Sequence, residues 1–136
     1  MCGELDRFEN EQDVSAGKLQ MKGHLCFRWS YDLSFEGAIL DVVEDLIGPD
    51  ILCFASRFWM KGPGDGAYVP WHQDSAYFGL DPHDLVAVWV ALTDSSPANG
   101  CVRVIPGSHH WPAQTHTETP DEKNLLACGQ WIDGID

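Results

Sequence analysis

Leu85-Val86-Ala87-Val88-Trp89-Val90-Ala91-Leu92 is the longest uninterrupted apolar run in the chain. It has no polar alternation, so length and residue type must decide its conformation. Eight residues is a strand's length, and valine at every second position from 86 to 90 favours extended backbone. The run reads as a buried strand. Downstream, Asp94 to Gly100 reads as a turn ending in Asn99-Gly100, the strongest short hairpin signal. Cys101 to Ile105 follows as a strand and stops at Pro106-Gly107. Upstream, Ile51 to Met60 is a further strand candidate, with Leu52, Phe54, Phe58 and Met60 on one face. Gly62-Pro63-Gly64-Asp65-Gly66 is a tight loop. Ala67 to Asp74 is extended, with Pro70 marking an edge strand or a strand end. Tyr77 to Asp84 is a connection carrying Gly79 and Pro82.

One helix precedes these strands. Over Ser34–Ile47, residues Ile39, Val43, Leu46 and Ile47 recur on one helical face, and Gly48-Pro49 ends the pattern. Leu25 to Tyr31 is aromatic and reads as extended. Residues 1–23 read as a short irregular or helical lead-in. Ser108 to Asp136 reads as loop-rich until Asn124-Leu125-Leu126-Ala127. The expected architecture is a single domain over residues 1–136, mainly β. A double-stranded β-helix (jelly roll) with an N-terminal helix fits it best.

Composition narrows the function classes. The 136 residues suit one domain, and 44% hydrophobic content argues against disorder. A formal net charge of −13 repels phosphate, which argues against nucleic acid or an anionic membrane as partner. Five widely spaced cysteines with no C-x-x-C pair argue against a disulfide framework or a structural zinc site and fit a reducing, cytoplasmic setting. No apolar run approaches the ~20 residues of a membrane helix. Met1-Cys2-Gly3-Glu4-Leu5-Asp6 lacks the order of a signal peptide. Oligomeric state is not legible.

Chemistry is concentrated in Trp71-His72-Gln73-Asp74-Ser75-Ala76-Tyr77. Alternate residues on extended backbone face the same side, so His72 and Asp74 can approach one ion. With one further His they would form a two-histidine, one-carboxylate set of the kind that holds Fe(II) and leaves coordination sites open. The competing reading is a surface His beside a loop Asp. His116-Thr117-Glu118 repeats the spacing, but it sits in a polar run and reads as a solvated loop. His109 and His110 are adjacent on a turn, so both cannot easily reach one ion. Ser108 lacks the elbow of a hydrolase nucleophile. Arg57, Lys61 and Arg103 are cations in an acidic chain. Each is either a surface charge or a clamp for a carboxylate. Trp89 reads as core, with an indole N–H that needs a partner.

Three blocks together resemble the phytanoyl-CoA dioxygenase family. They are Trp71–Tyr77, then Val88-Trp89-Val90-Ala91-Leu92-Thr93-Asp94, then Asn99-Gly100-Cys101-Val102-Arg103-Val104-Ile105-Pro106-Gly107-Ser108-His109. Lys61-Gly62-Pro63-Gly64 adds to the likeness, which runs from about Ile39 to Trp131. The resemblance implies a double-stranded β-helix with Fe(II), 2-oxoglutarate and O2, hydroxylating a small organic substrate with release of succinate and CO2. It makes His72 and Asp74 the first two metal ligands, and Trp89 and Arg57 residues of the 2-oxoglutarate pocket. Asp74 favours hydroxylation, because halogenating relatives carry a small residue there. Ser75-Ala76-Tyr77-Phe78-Gly79 resembles members acting on small metabolites more than on acyl-CoA.

The chain also departs from the family pattern. A second iron-binding His, and an Arg for the far carboxylate of 2-oxoglutarate, belong beyond the Asn124–Trp131 region, and the sequence stops at Asp136. The expectation is a partial chain with an incomplete barrel. Two rival readings stand beside it. One is an inactive β-rich fragment or pseudoenzyme. The other is a cupin-like metalloprotein of other chemistry that takes His109 or His116 as a third ligand.

Overall fold

A computed structural model describes residues 2–13, 22–118, 120–126 and 130–135. Residues 14–21 of the expected lead-in, Ala127 of the Asn124–Ala127 segment and Cys128 lie outside them. The elements are α1 (Cys2–Gln12), α2 (Gly23–Cys26), α3 (Arg28–Leu33), α4 (Gly37–Ile47), α5 (Ser75–Phe78), β1 (His116–Thr117) and β2 (Trp131–Ile132). The chain divides into two compact units, each assembled from two stretches: residues 1–60 with 85–94, and residues 61–84 with 95–136.

The first unit is organised by aromatic rings. Leu5 and Phe8 lie three residues apart on α1 and so face the same way. Leu5 and Phe58 are buried, with Phe8, Phe27, Trp29 and Leu92 packed against them. Phe27 meets Phe8 and Phe58 edge to face, with centroids 5.3 and 5.6 Å apart, the arrangement that aromatic quadrupoles prefer. Phe27 is itself extended (φ −125°, ψ 125°) and separates α2 from α3. That break turns its ring into the cluster, and the residues on either side are helical. The expected extended segment Leu25–Tyr31 is therefore corrected. Aromatic residues disfavour helix only by tenths of a kcal/mol, and ring burial outweighs that.

A distant segment caps α2. Ser56 accepts from Gly23 N through its carbonyl (3.1 Å) and from His24 N through its Oγ (2.7 Å), which satisfies first-turn donors that the helix cannot. Gly23 is required there, since a Cβ would stand 2.8 Å from Phe58 Cε2. Helix α4 starts three residues later than the expected Ser34–Ile47, because Ser34 closes α3, and it ends as expected at Gly48 (φ +88°). Val43 is buried, whereas Leu46 and Ile47 are exposed.

The second unit has a small sheet. Strands β1 and β2 pair antiparallel, His116 opposite Ile132 and Thr117 opposite Trp131. Ile132, Leu126 and Asn124 are buried. Tyr68 N donates to Lys123 O (3.0 Å) and Leu125 N donates to Tyr68 O (2.9 Å), a parallel bridge between residues 68 and 124.

The mainly β, double-stranded β-helix expectation is overturned. Five α-helices and one sheet of two short strands are present among the described residues. The segments Ile51–Met60, Leu85–Leu92 and Cys101–Ile105 form no ladder. In the Leu85–Leu92 run, Val88 and Trp89 are each 50% exposed, so the buried-strand reading fails on burial as well as pairing. Strand propensity measures fit to a pleated, half-buried surface and not a preference of the isolated backbone. Without a paired neighbour the same residues make no ladder. Asn99-Gly100 likewise closes no hairpin. Pro97–Asn99 is a 3₁₀ turn in which Asn99 Oδ1 accepts from Ser96 N (2.7 Å), and Gly100 (φ +77°) takes the left-handed exit. No helix of the described residues is long and apolar enough to cross a membrane.

Candidate metal site

Segment 67–74 carries the site, and neighbours on two sides hold its backbone. The bridge at Tyr68 fixes one end. Ile132 N donates to Trp71 O (3.0 Å), and Gln73 N donates to His116 Nε2 (2.9 Å). The Gln73 side chain adds two bonds, donating to Pro112 O (3.2 Å) and accepting from Gln114 N (2.7 Å). The Arg103 guanidinium lies 5.5 Å from the centre of the Trp71 ring, within cation–π range.

Gln73 occupies one side of the segment with these contacts. His72 and Asp74, its flanking neighbours, face one another: His72 Nε2 lies 3.1 Å from Asp74 Oδ1. His72 Nδ1 lies 2.8 Å from Pro70 O. A carbonyl only accepts, so Nδ1 carries the proton and donates, leaving Nε2 directed at Asp74. An imidazole with one N–H anchored on a backbone carbonyl can offer its other nitrogen to a metal once that nitrogen gives up its proton; without an ion, Nε2–H of the protonated ring donates to Asp74. Burial alone would lower the pKa of His72. The hydrogen bond to Asp74, the Pro70 carbonyl and the charge of Asp74 outweigh it, so the imidazole is held above its ordinary value.

The pair fits a divalent ion. With metal–ligand bonds of about 2.1 Å, a separation of 3.1 Å subtends about 95° at the ion, close to the angle between neighbouring octahedral ligands. Among the described residues no group of three His, Cys, Asp or Glu is placed to hold a metal.

The other sequence candidates are placed as follows. His116 is not in a solvated loop. It is half-buried on β1, and both ring nitrogens are engaged: Nε2 accepts from Gln73 N and Nδ1 donates to Gln114 O (3.0 Å). His109 and His110 sit in an exposed 3₁₀ turn with ring centroids 3.8 Å apart. Arg57, stacked over Trp59 at 4.1 Å, and the half-exposed Trp89 belong to the first unit. Pattern reading passed over Gln73, placed His116 in a solvated loop and took Pro70 only as a strand marker. The available signal was alternation, which sends Gln73 to the side opposite its neighbours.

Comparison with known proteins bears on this arrangement. The chain is 44% identical over 54 residues to a phytanoyl-CoA dioxygenase of Arabidopsis thaliana, covering 40% of this chain and 19% of the relative. It is 29% identical over 115 residues to a probable alpha-ketoglutarate-dependent hypophosphite dioxygenase of Stutzerimonas stutzeri, covering 83% and 40%. It is 35% identical over 77 residues to L-proline trans-4-hydroxylase of Streptomyces griseoviridis, covering 54% and 29%. The chain thus spans between 19% and 40% of the length of these relatives. No solved structure matches it. The phytanoyl-CoA dioxygenase family model matches residues 4–129, nearly the whole sequence and all of the segment bearing His72 and Asp74, so the chain belongs to the phytanoyl-CoA dioxygenase family.

Proposed function

We propose that His72 and Asp74 supply two protein ligands to Fe(II) in a 2-oxoglutarate-dependent dioxygenase that hydroxylates a small organic substrate. Family membership implies Fe(II), 2-oxoglutarate and O2. The observation that carries the reading is the His72 Nε2 to Asp74 Oδ1 distance of 3.1 Å, with Nδ1 held on Pro70 O. When bound, the metal supplies oxidative chemistry with O2 and 2-oxoglutarate. The residues present orient it. Pro70 fixes the His72 ring, and Gln73 with His116 fixes the backbone between the two ligands. A carboxylate at position 74 supports hydroxylation, since it fills a coordination position that would otherwise be open. Relatives named for hypophosphite and L-proline support a small substrate.

The test is anaerobic Fe(II) titration of the wild type and three variants. His72→Ala and Asp74→Ala should each lose at least tenfold in affinity, and His110→Ala should not change. Equal affinity in all four refutes the pair. A second reading is favoured by the lack of a three-residue cluster among the described residues: these residues hold the ion without turnover. Iron-dependent conversion of 2-oxoglutarate to succinate by this chain would exclude it.

A further inference from the structure

The turn after Ile105 brings two imidazoles together. Ser108–His110 is a 3₁₀ helix entered through Gly107 (φ +82°). Two bonds hold its backbone: His110 N donates to Gly107 O (3.1 Å) and Trp111 N donates to Ser108 O (3.0 Å). Adjacent side chains on a strand point to opposite sides. A 3₁₀ helix turns by only about 120° per residue, so neighbours can meet on one flank. The rings of His109 and His110 do meet, with centroids 3.8 Å apart and planes inclined at 44°.

The pair is open to a ligand. Both residues are exposed, and neither ring has a hydrogen-bond partner among the described residues. In this they differ from His116, whose two ring nitrogens are engaged, and from His72, which faces a carboxylate. Metal–nitrogen bonds of about 2.0–2.1 Å at a right angle set two ligand nitrogens about 2.9 Å apart. Inclined rings approach more closely along one edge than at their centres. The χ2 torsion of histidine is broad and roughly two-fold, so an exposed ring can turn a nitrogen to that edge. Rings that are already neighbours lose little further freedom on closing round an ion.

The donor type selects the ion. An all-imidazole pair suits late divalent transition metals, whose affinities rise from Fe(II) through Co(II) and Ni(II) to Cu(II). A net charge of −13 draws cations to the chain. We propose that His109 and His110 chelate one late divalent transition-metal ion, Ni(II) or Cu(II), with water completing its coordination. The His72–Asp74 pair takes no part in this site.

The test is Ni(II) titration of the metal-free protein, read from the broadening of histidine ring signals in 1H–15N NMR. His109 and His110 should respond together and saturate at Ni(II) concentrations at least tenfold below those needed at His83, another exposed histidine. In His109→Ala the response of His110 should need at least tenfold more Ni(II), and His110→Ala should do the same to His109. His72→Ala should leave the affinity of the pair unchanged, so failure of the iron site leaves this one standing. If either single variant leaves the other ring's affinity within twofold, the two rings share no ion and the proposal is overturned. A response of the pair at the same Ni(II) concentration as His83 overturns it too, and that comparison needs only the wild type.

Discussion

Replacing His116 by Ala tests the arrangement most sharply, because a ligand and a scaffold residue predict opposite results. The ring accepts from Gln73 N at 2.9 Å and donates to Gln114 O at 3.0 Å. Its loss strands the part-buried Gln73 N–H, which costs about 1–3 kcal/mol. Gln114 O can turn to water at little cost. Lost packing of a half-buried ring adds about 1 kcal/mol. The expected destabilisation is about 2–4 kcal/mol, which shifts the urea midpoint by about 1–2 M for a slope of about 2 kcal/mol per M. Fe(II) affinity, measured where the variant is folded, should fall by less than the roughly tenfold expected for loss of a ligand, since His116 only holds the backbone and neither ring nitrogen is free to coordinate. Loss of metal affinity with unchanged stability would make His116 a ligand and revive the cupin-like reading. A midpoint shift below about 0.3 M would show that the clamp on Gln73 contributes little.

Two further outcomes follow from the same geometry. Gly23→Ala drives a Cβ to 2.8 Å from Phe58 Cε2; overpacking of this kind costs about 1–3 kcal/mol, and urea denaturation should show it, whereas an unchanged midpoint would mean the ring yields freely. Asp65 accepts from Ala67 N and Gly62 N, and these two bonds hold its carboxyl below the ordinary value. A depressed folded pKa contributes stability above the unfolded pKa and loses it as pH falls through the folded pKa. Asp65→Asn should therefore destabilise at neutral pH and converge with the wild type in acid, and an Asp65 carboxyl NMR midpoint at or above about 3.9 would contradict this.

How much was legible can be judged residue by residue. The His72-x-Asp74 spacing located the pair, although the expected extended run Ala67–Asp74 stops short of Asp74, which is helical (φ −58°, ψ −38°) at the start of α5. The α4 pattern and its stop at Gly48 were readable because both need only local geometry. The failures came where contacts between distant segments decide conformation, burial or pairing. Leu25–Tyr31 is helical on both sides of Phe27, because ring contacts with Phe8 and Phe58 outweigh a weak local preference. Cys101–Ile105 and Leu85–Leu92 form no ladder, and β1 arose in a polar run that carried no strand signal.

By itself the sequence determined the features that depend on one residue and its immediate neighbours. These are the breaks at Gly48 and Gly107, the existence of a turn before Gly100, the helix ending at Ile47 and the closeness of His72 and Asp74. Only the tertiary structure decided which extended segments find partners. It also decided that Gln73 and His116, remote in sequence, hold the backbone between the two candidate ligands. The physical reason is that φ/ψ restrictions act within a residue or two, whereas a ladder bond or a clamping hydrogen bond requires a second segment, whose position no local pattern encodes.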